Sequence, residues 1–321
     1  MAVKPIFIFA VARTGSTLVQ RVVAAHDGLA TTSEPWLLLP HAYTFRRSGV
    51  LAEYPHATMV EAIEDFCDEL PGGADDYRQE VHDSILRLYE KAAGDGATHF
   101  LDKSPYSGVA EEVMSIFPEG KFIFLWRNPL SIVASNMATW DSKWKPSMFR
   151  QQLYVGLPRL AAACEHHADH VHSVRFEDLV RGEERHWREL MDYLEIEFDP
   201  SALERFSAVT LNGRMGDPIG VKQYSALNSD PVDKWRKAFA NPLRKEWCRR
   251  YLRFLNEDRL ATMGYDGGQI LAELELQPTS MENLMPDLGR LLKDVATEPV
   301  RVRTRTAWIG GPNVIRELLR A

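Results

Sequence analysis

Residues 7–18 of the chain read Phe7-Ile8-Phe9-Ala10-Val11-Ala12-Arg13-Thr14-Gly15-Ser16-Thr17-Leu18. The first half of this segment is apolar without alternation, which is typical of a strand that is buried on both faces of a parallel sheet. The second half is a short turn of glycine and hydroxyl residues that opens a helix. Because the first N–H groups of a helix have no partner within it, such a turn forms a binding site for an anion. The segment therefore predicts an α/β fold with a phosphate-binding loop.

A second segment predicts a further anion site. It reads Phe122-Ile123-Phe124-Leu125-Trp126-Arg127-Asn128-Pro129, and Ser135 follows eight residues after Arg127. Pro129 suits the first turn of a helix, so we expect a helix to begin just after Arg127. The carboxyl ends of parallel strands meet at one edge of a sheet, so Arg127 and Ser135 are predicted to lie at the same edge as the first loop.

The rest of the chain up to about residue 266 alternates between extended and helical patterns. Further strands are predicted at 29–33, 98–101 and 171–176, with helices between them, including a long helix at about 147–167. This alternation indicates a doubly wound, mostly parallel central sheet with helical insertions. Residues 37–95 are mostly helical in pattern and are interpreted as a substrate-side insertion. The predicted domain covers residues 1–266, and residues 267–321 form a C-terminal extension to which the sequence assigns no role.

The composition agrees with an enzyme domain. A chain of 321 residues with 45% hydrophobic content can bury a full core, and a formal net charge of -7 argues against a general nucleic-acid binder. The three scattered cysteines suggest neither a disulfide framework nor a metal site, so we expect a cytoplasmic protein. The apolar run near the start is short for an export signal, and no stretch approaches the length of a transmembrane segment.

The first loop departs from the loop of ATP- and GTP-hydrolysing proteins. A loop of that kind reads Gly, four residues, then Gly-Lys-Ser/Thr, but here Ala10 replaces the first Gly and Ser16 replaces the Lys. That Lys neutralises the β- and γ-phosphates, so its loss argues against ATP or GTP hydrolysis. The cation of this loop is instead Arg13, which can bind a terminal sulfuryl or phosphoryl group through two hydrogen bonds.

The two segments together resemble the cofactor-binding motifs of sulfotransferases. The family's 5′-phosphosulfate loop usually reads Pro-Arg/Lys-Ser/Thr-Gly-Ser/Thr-Thr-Leu, and here Ala12 replaces the Pro. Arg127 and Ser135 have the spacing of the family's Arg and Ser that bind the 3′-phosphate of 3′-phosphoadenosine 5′-phosphosulfate (PAPS). The resemblance covers residues 5–266. It implies that PAPS is the cofactor, that 3′-phosphoadenosine 5′-phosphate (PAP) is released, and that no metal ion is required. The loop residues implied in binding are Arg13, Thr14, Gly15, Ser16 and Thr17.

Two further cofactor-binding residues are implied by the same resemblance. Residues 174–179 resemble the family's adenine-side strand, in which Phe176 takes the place of a Tyr that stacks on the purine. The alternative is that Phe176 only packs in the core. A loop at 211–231 contains Lys222, which would add a cation to the 3′-phosphate, and the alternative is a solvated lysine.

The resemblance also implies the catalytic residues. Arg13 and Lys103 are the expected cations around the sulfonate, and Pro105 stands where the family's cytosolic branch has a catalytic His. Glu34 lies 21 residues after Arg13, similar to the Glu base of the tyrosylprotein branch. Alternatively, Glu34 caps a turn or pairs with Arg13. His41 and His99 are weaker candidates for the base.

These observations predict in-line transfer of a sulfuryl group from PAPS to a hydroxyl of a small molecule, a lipid or a carrier-bound metabolite, with Glu34 as the general base. Two alternatives stay open. One is a metal-dependent P-loop-type kinase acting on a small molecule or a nucleotide. The other is a non-catalytic protein that binds PAP or PAPS.

Overall fold

The computed structural model describes residues 3–48, 50, 52, 54–139, 144, 150–181, 183–216, 227 and 230–293. Within them, the strands are β1 (Lys4–Phe9), β2 (Leu29–Thr31), β3 (His99–Asp102), β4 (Lys121–Trp126) and β5 (Val171–Arg175). They form a five-stranded sheet in the order β2-β3-β1-β4-β5, in which every pair of neighbours is parallel. The predicted α/β fold with a parallel central sheet is confirmed.

Helices connect the strands and cover both faces of the sheet. The α-helices are α1 (Ser16–Ala24), α2 (Leu39–Ala42), α3 (His56–Asp68), α4 (Ala74–Ala93), α5 (Ala110–Ile116), α6 (Pro129–Thr139), α7 (Leu157–His166), α8 (Phe176–Val180), α9 (Glu184–Tyr193), α10 (Ala202–Arg205), α11 (Asp230–Asp233), α12 (Trp235–Ala238), α13 (Pro242–Thr262) and α14 (Gly267–Glu275). Short 3-10 turns lie at Tyr43–Phe45, Tyr106–Gly108, Ala168–His170 and Phe206–Ala208, Gln151–Gly156 is π-helical, and residues 284–293 form a last helix.

The central strand β1 is buried on both faces, as its apolar sequence predicts. Its side chains alternate between two core clusters, because successive residues of a strand point to opposite faces. Phe7 and Phe9 belong to the cluster that includes side chains of α4, α5, α6, α7 and α13. Ile6 and Ile8 belong to the cluster on the other face, with α1, α8 and α9. The sheet is therefore the middle layer of three.

The direction of the chain reverses between β1 and β4. From β1 the chain crosses through α1 to β2 on one side, whereas from β4 it continues through α6 and α7 to β5 on the other side. Helices α1 and α6 accordingly pack on opposite faces of the sheet. Ligands of open α/β sheets bind at such a topological switch point.

The segment predicted as a substrate-side insertion contributes to the core. It is mainly helical, as expected, but α4 packs directly on the sheet. Tyr89 of α4 is buried, its ring centre lies 4.5 Å from that of Phe100 on β3, and it also contacts Phe7 of β1. Helix α4 is therefore the crossover between β2 and β3, and a fold of this kind requires it.

Two predicted elements end at different places in the structure. The strand expected at 171–176 stops at Arg175, and Phe176 instead begins α8, whose first turn carries Glu177 and Asp178. Acidic side chains in the first turn stabilise a helix through its dipole, and Arg175 also pairs with Asp178. The long helix expected at 147–167 is divided, with the π-helical turn preceding α7.

The described part of the C-terminal extension packs on the same body. Ile270 and Leu274 of α14 are buried in the core cluster that includes α13. Lys245 of α13 donates to the carbonyl of Gln277 (2.6 Å). The boundary predicted at residue 266 therefore does not coincide with a break in packing. No helix in the described part of the chain has both the length and the apolar character that crossing a bilayer requires.

Candidate active site

The loop after β1 forms a tight turn around the start of α1. Arg13 and Gly15 both have left-handed backbone conformations, with φ of 71° and 100°. The Thr14 hydroxyl donates to the carbonyl of Val11 (2.7 Å) and closes the turn. A Cβ on Gly15 would lie 2.3 Å from the ring of Phe176, so this position accepts only glycine. Helix α1 begins at Ser16, and its first N–H groups lie at the predicted anion site.

Arg127 connects the two predicted anion-binding segments. It follows β4, is 4% exposed, and donates from Nη1 to the carbonyl of Arg13 (2.8 Å). Its guanidinium carbon lies 4.8 Å from the ring centre of Phe176. Arg127 therefore contacts the backbone of the first loop while its planar group lies over a buried aromatic ring. The contact brings the two segments together, as their order at one sheet edge predicts.

Ser135 lies on α6 and is half-buried beside Arg13. Arg13 donates from Nε to Ser135 Oγ (3.3 Å), so the cation of the first loop reaches the second segment. Helix α6 begins after Asn128. This residue is the N-cap that precedes Pro129, because its Oδ1 accepts from the N–H of Leu130 (2.9 Å). The family's motifs assign Arg13 and Ser135 to opposite ends of the ligand, whereas in the structure their side chains are in direct contact.

Phe176 is fully buried, with an exposed fraction of 0%. One side of its ring contacts Gly15 and another supports the guanidinium of Arg127. It therefore shapes the loop from inside the protein, and its predicted stacking on the purine stays a prediction. The other loop residues Thr14 and Thr17 are also buried. Lys222 lies outside the described residues.

Glu34 and Lys103 form an ion pair at the same sheet edge. Glu34 follows β2 and Lys103 follows β3, and these two strands are neighbours. Lys103 Nζ lies 2.5 Å from Glu34 Oε1, and the two side chains are 7% and 19% exposed. Glu34 pairs here with Lys103, although the sequence offered Arg13 as the alternative partner. The predicted base and one of the predicted cations are therefore brought together.

A set of polar residues around this ion pair was missed at the sequence level. The other oxygen of Glu34, Oε2, accepts from the indole N–H of Trp36 (3.1 Å). The backbone N–H of Trp36 donates to Ser104 Oγ (3.1 Å), and Ser104 donates to the fully buried Asp102 (2.6 Å). Burial raises the pKa of Asp102 above its usual value. The available signal was the run Asp102-Lys103-Ser104, since three polar residues at the end of a buried strand are unusual outside a site.

Of the two weaker base candidates, His99 lies away from the predicted site. His99 is the first residue of β3, at the opposite end of the strand from Lys103, and burial lowers its pKa. His41 lies on α2, and burial lowers its pKa as well. A low pKa keeps an imidazole neutral, but His99 lies at the amino edge of the sheet, remote from the loops that carry the other site residues.

The described residues contain one group of side chains that could hold a metal ion, formed by Glu111, His166 and His167. His166 Nδ1 lies 3.5 Å from Glu111 Oε1, a neighbour that the sequence spacing did not suggest. The group is mostly exposed and lies on α5 and at the end of α7, which carry none of the predicted site residues. It has no connection to the chemistry predicted for the sheet edge.

Comparisons with known proteins identify the family of the chain. The model of the sulfotransferase family matches residues 5–200. The nodulation protein NoeE of Sinorhizobium fredii is 25% identical over 291 residues, which are 81% of this chain and 65% of that protein. The chain thus spans about 65% of the length of this curated relative.

Two solved structures share the fold. The sulfotransferase domain from the curacin biosynthetic pathway has a TM-score of 0.50 and 20% identity, covering 82% of this chain and 98% of that one. The sulfotransferase domain from the Synechococcus PCC 7002 olefin synthase has a TM-score of 0.52 and 21% identity, covering 82% and 96%. The predicted fold and the predicted family are confirmed: the chain belongs to the sulfotransferase family.

Proposed function

We propose that this protein transfers a sulfuryl group from PAPS to a hydroxyl group of an acceptor. The observation that carries the proposal is the contact between Arg127 and the carbonyl of Arg13. It joins a glycine loop at a helix start to a second cation at the neighbouring strand end. A nucleotide with an anionic group at each end requires two such sites at one edge of the sheet.

The residues at this edge fit the cofactor. Gly15 is the N-cap of α1, and the first N–H groups of a helix have no partner within it, so they can bind an anion. We assign the 5′-phosphosulfate to Arg13, Thr14, Gly15, Ser16 and Thr17, and the 3′-phosphate to Arg127 and Ser135. Because Arg13 contacts Ser135, we expect its guanidinium to lie between the two anionic groups. Lys222 is proposed as a further cation for the 3′-phosphate.

The chemistry assigned to the protein is positioning and proton transfer. PAPS supplies an activated sulfuryl group when it is bound. The acceptor oxygen forms a bond to sulfur, the bond from sulfur to the 5′-phosphate oxygen breaks, and the acceptor proton passes to Glu34. Lys103 lies beside Glu34 and is placed to stabilise the charge that develops on the sulfonate oxygens. No covalent intermediate on the protein is needed.

The acceptor is proposed to be a small molecule, a lipid or a carrier-bound metabolite with a free hydroxyl. The net charge of -7 supports an acceptor other than a nucleic acid. All three cysteines are buried and unpaired, which supports the proposal of a cytoplasmic protein. Incubating the protein with labelled PAPS and a panel of hydroxylated compounds identifies the acceptor class. Turnover of any compound contradicts the alternative of a non-catalytic binding protein.

The cofactor assignment is tested by thermal stabilisation. We expect PAP to raise the melting temperature of the protein, since a ligand that binds only the folded state stabilises it. ADP with Mg²⁺ should have little effect. Replacing Arg127 by Ala should remove most of the stabilisation by PAP, because the variant loses a cation for the phosphate and a contact to the loop.

The matched control is Arg188→Ala, since Arg188 pairs with Glu184 on the exposed face of α9 (2.8 Å). This variant should retain the full effect of PAP. An undiminished shift in Arg127→Ala contradicts our assignment of that residue. A larger shift with ADP and Mg²⁺ than with PAP favours the kinase alternative.

A further inference from the structure

The end of β3 reaches Glu34 by two routes. One is direct, from Lys103 to Glu34 Oε1 (2.5 Å). The other passes through Asp102, Ser104 and Trp36 to Glu34 Oε2, with hydrogen bonds of 2.6, 3.1 and 3.1 Å. We call the second route the Asp102–Ser104–Trp36 chain. Residues 102–104, at the end of one strand, are thus connected by hydrogen bonds to both oxygens of the Glu34 carboxylate.

Asp102 gives this chain a fixed starting point. It is fully buried, and three hydroxyl groups donate to it, from Tyr89 (2.6 Å), Tyr106 (2.7 Å) and Ser104 (2.6 Å). A hydroxyl group has one proton to donate. Because Ser104 donates its proton to Asp102, its oxygen is left as an acceptor for the N–H of Trp36. The direction of each hydrogen bond is therefore determined by the buried carboxylate.

Trp36 is the residue of this chain whose conformation depends on its hydrogen bonds. It has a left-handed backbone with φ of 56°, a conformation that is unfavourable for a bulky residue. Its side chain is 42% exposed, so burial alone does not hold the indole in place. The hydrogen bonds from its backbone N–H to Ser104 and from its indole N–H to Glu34 supply that support. Such a strained conformation at a site persists only when its surroundings impose it.

We propose that Asp102, Ser104 and Trp36 are positioning residues that orient the carboxylate of Glu34 towards the acceptor hydroxyl. This inference rests on the proposed function, in which Glu34 receives the acceptor proton. With Oε1 held by Lys103 and Oε2 held by Trp36, the plane of the carboxylate is fixed. The remaining lone pairs then face in a defined direction, and proton transfer depends steeply on such geometry.

The test compares variants that remove one link each. Trp36→Phe keeps an aromatic ring and removes the indole N–H, and Ser104→Ala removes the acceptor of the backbone N–H. The assay is turnover of PAPS to PAP with water as the acceptor, together with transfer to any compound found in the acceptor panel. We expect kcat to fall about 10- to 100-fold in each variant, the size of effect that a small misplacement of a catalytic group produces. The KM for PAPS should stay within about twofold, since neither residue is assigned to the cofactor.

Two further variants separate positioning from simple loss of structure. Ser104→Thr keeps the hydroxyl and should recover most of the lost kcat. Ser115→Ala removes a serine of α5 that hydrogen-bonds only to its own helix (2.8 Å to the carbonyl of Glu112) and should leave kcat unchanged. A parallel fall in kcat and in affinity for PAP, without recovery in Ser104→Thr, overturns the proposal in favour of a structural role.

Glu34→Gln distinguishes failure of this inference from failure of the proposed function. If Glu34→Gln keeps the wild-type kcat, Glu34 is not the base, and both the assigned base and the positioning role are overturned. If Glu34→Gln is inactive while Trp36→Phe and Ser104→Ala keep the wild-type kcat, only the positioning proposal is overturned. Loss of kcat in all three variants with unchanged KM for PAPS supports both the assignment of Glu34 as the base and the positioning role of Trp36 and Ser104.

Discussion

At the scale of single residues, the site depends on a few positions that tolerate no alternative. Gly15 combines a left-handed backbone with direct contact to the ring of Phe176, so both its conformation and its lack of a side chain are required. Arg127 is held over the same ring. A change at Gly15 therefore displaces Phe176 and, through it, the cation assigned to the 3′-phosphate.

We expect Gly15→Ala to weaken PAP binding by at least about tenfold, because the new methyl group must displace either the loop or Phe176, and each 1.4 kcal/mol of strain is a tenfold change in affinity. Isothermal titration calorimetry with PAP measures the effect. The matched control is Gly94→Ala, which has a similar positive φ of 73° but open space around the position. The control should lose about 1–3 kcal/mol of stability, because its backbone (φ 73°, ψ -173°) is a conformation that residues other than glycine rarely adopt, and should keep its affinity for PAP. Equal affinities of the two variants for PAP contradict our account of the loop.

The sequence was sufficient to predict that residues of two separate motifs lie close together. Arg13, Gly15, Arg127 and Ser135 lie within short motifs at strand ends, and the topology of a parallel sheet brings such ends together. It was not sufficient for Trp36. The indole contact to Glu34 depends on a left-handed backbone for which the sequence offers no glycine or asparagine as a signal.

At the scale of elements, the helix starts after β4 and β5 are held together by one carboxylate. Glu177 Oε1 accepts from the N–H of Asn128 (2.9 Å), and Glu177 Oε2 accepts from the hydroxyl of Tyr265 (2.6 Å). Burial, and then the charge of Glu177, raise the pKa of Tyr265 well above its usual value. Through Glu177, the segment after α13 is therefore hydrogen-bonded to the end of β4, where Arg127 lies. The contact between Glu177 and Tyr265 spans 88 positions along the chain, and no local pattern encodes it.

Replacing Tyr265 by Phe should destabilise the protein by about 1–3 kcal/mol, because the buried Glu177 loses a hydrogen-bond donor. Urea unfolding followed by circular dichroism measures the change. Tyr77→Phe serves as the control, since the ring of Tyr77 packs against Phe45 and keeps that contact in the variant. If the two variants are equally stable, the hydroxyl of Tyr265 contributes nothing to this junction.

At the scale of the whole molecule, the C-terminal part of the described chain is attached through a buried ion pair. Asp287 is 0% exposed and accepts from Arg244 Nε (2.7 Å), Arg290 Nη2 (2.6 Å) and Asn241 Nδ2 (2.7 Å). Burial acts to raise the pKa of Asp287, but these hydrogen bonds outweigh it and hold the pKa below its usual value. No pattern near Asp287 predicts this attachment, because its partners Arg244 and Asn241 lie 43 and 46 positions earlier in the chain.

Asp287→Asn should destabilise the protein at neutral pH by about 3–5 kcal/mol, because it leaves Arg244 buried without its counter-charge. A carboxylate with a lowered pKa stabilises the folded state above its unfolded pKa of about 3.9 and loses this effect as the pH falls through the folded value. The difference in unfolding free energy between wild type and variant should therefore narrow below about pH 4. Urea titrations at several pH values measure it, and a difference that is constant down to about pH 2 contradicts the role of the charge.

The contact between Arg127 and the Arg13 carbonyl has a thermodynamic consequence for how the two halves of a nucleotide are recognised. In the proposed assignment, the guanidinium of Arg127 binds the 3′-phosphate and also contacts the loop that binds the 5′-phosphosulfate, so we expect binding at either end to change the affinity of the other end. We then expect the binding free energies of fragments with a single phosphate not to add up to that of the intact molecule, which would favour it over adenosine nucleotides that are phosphorylated at one end only.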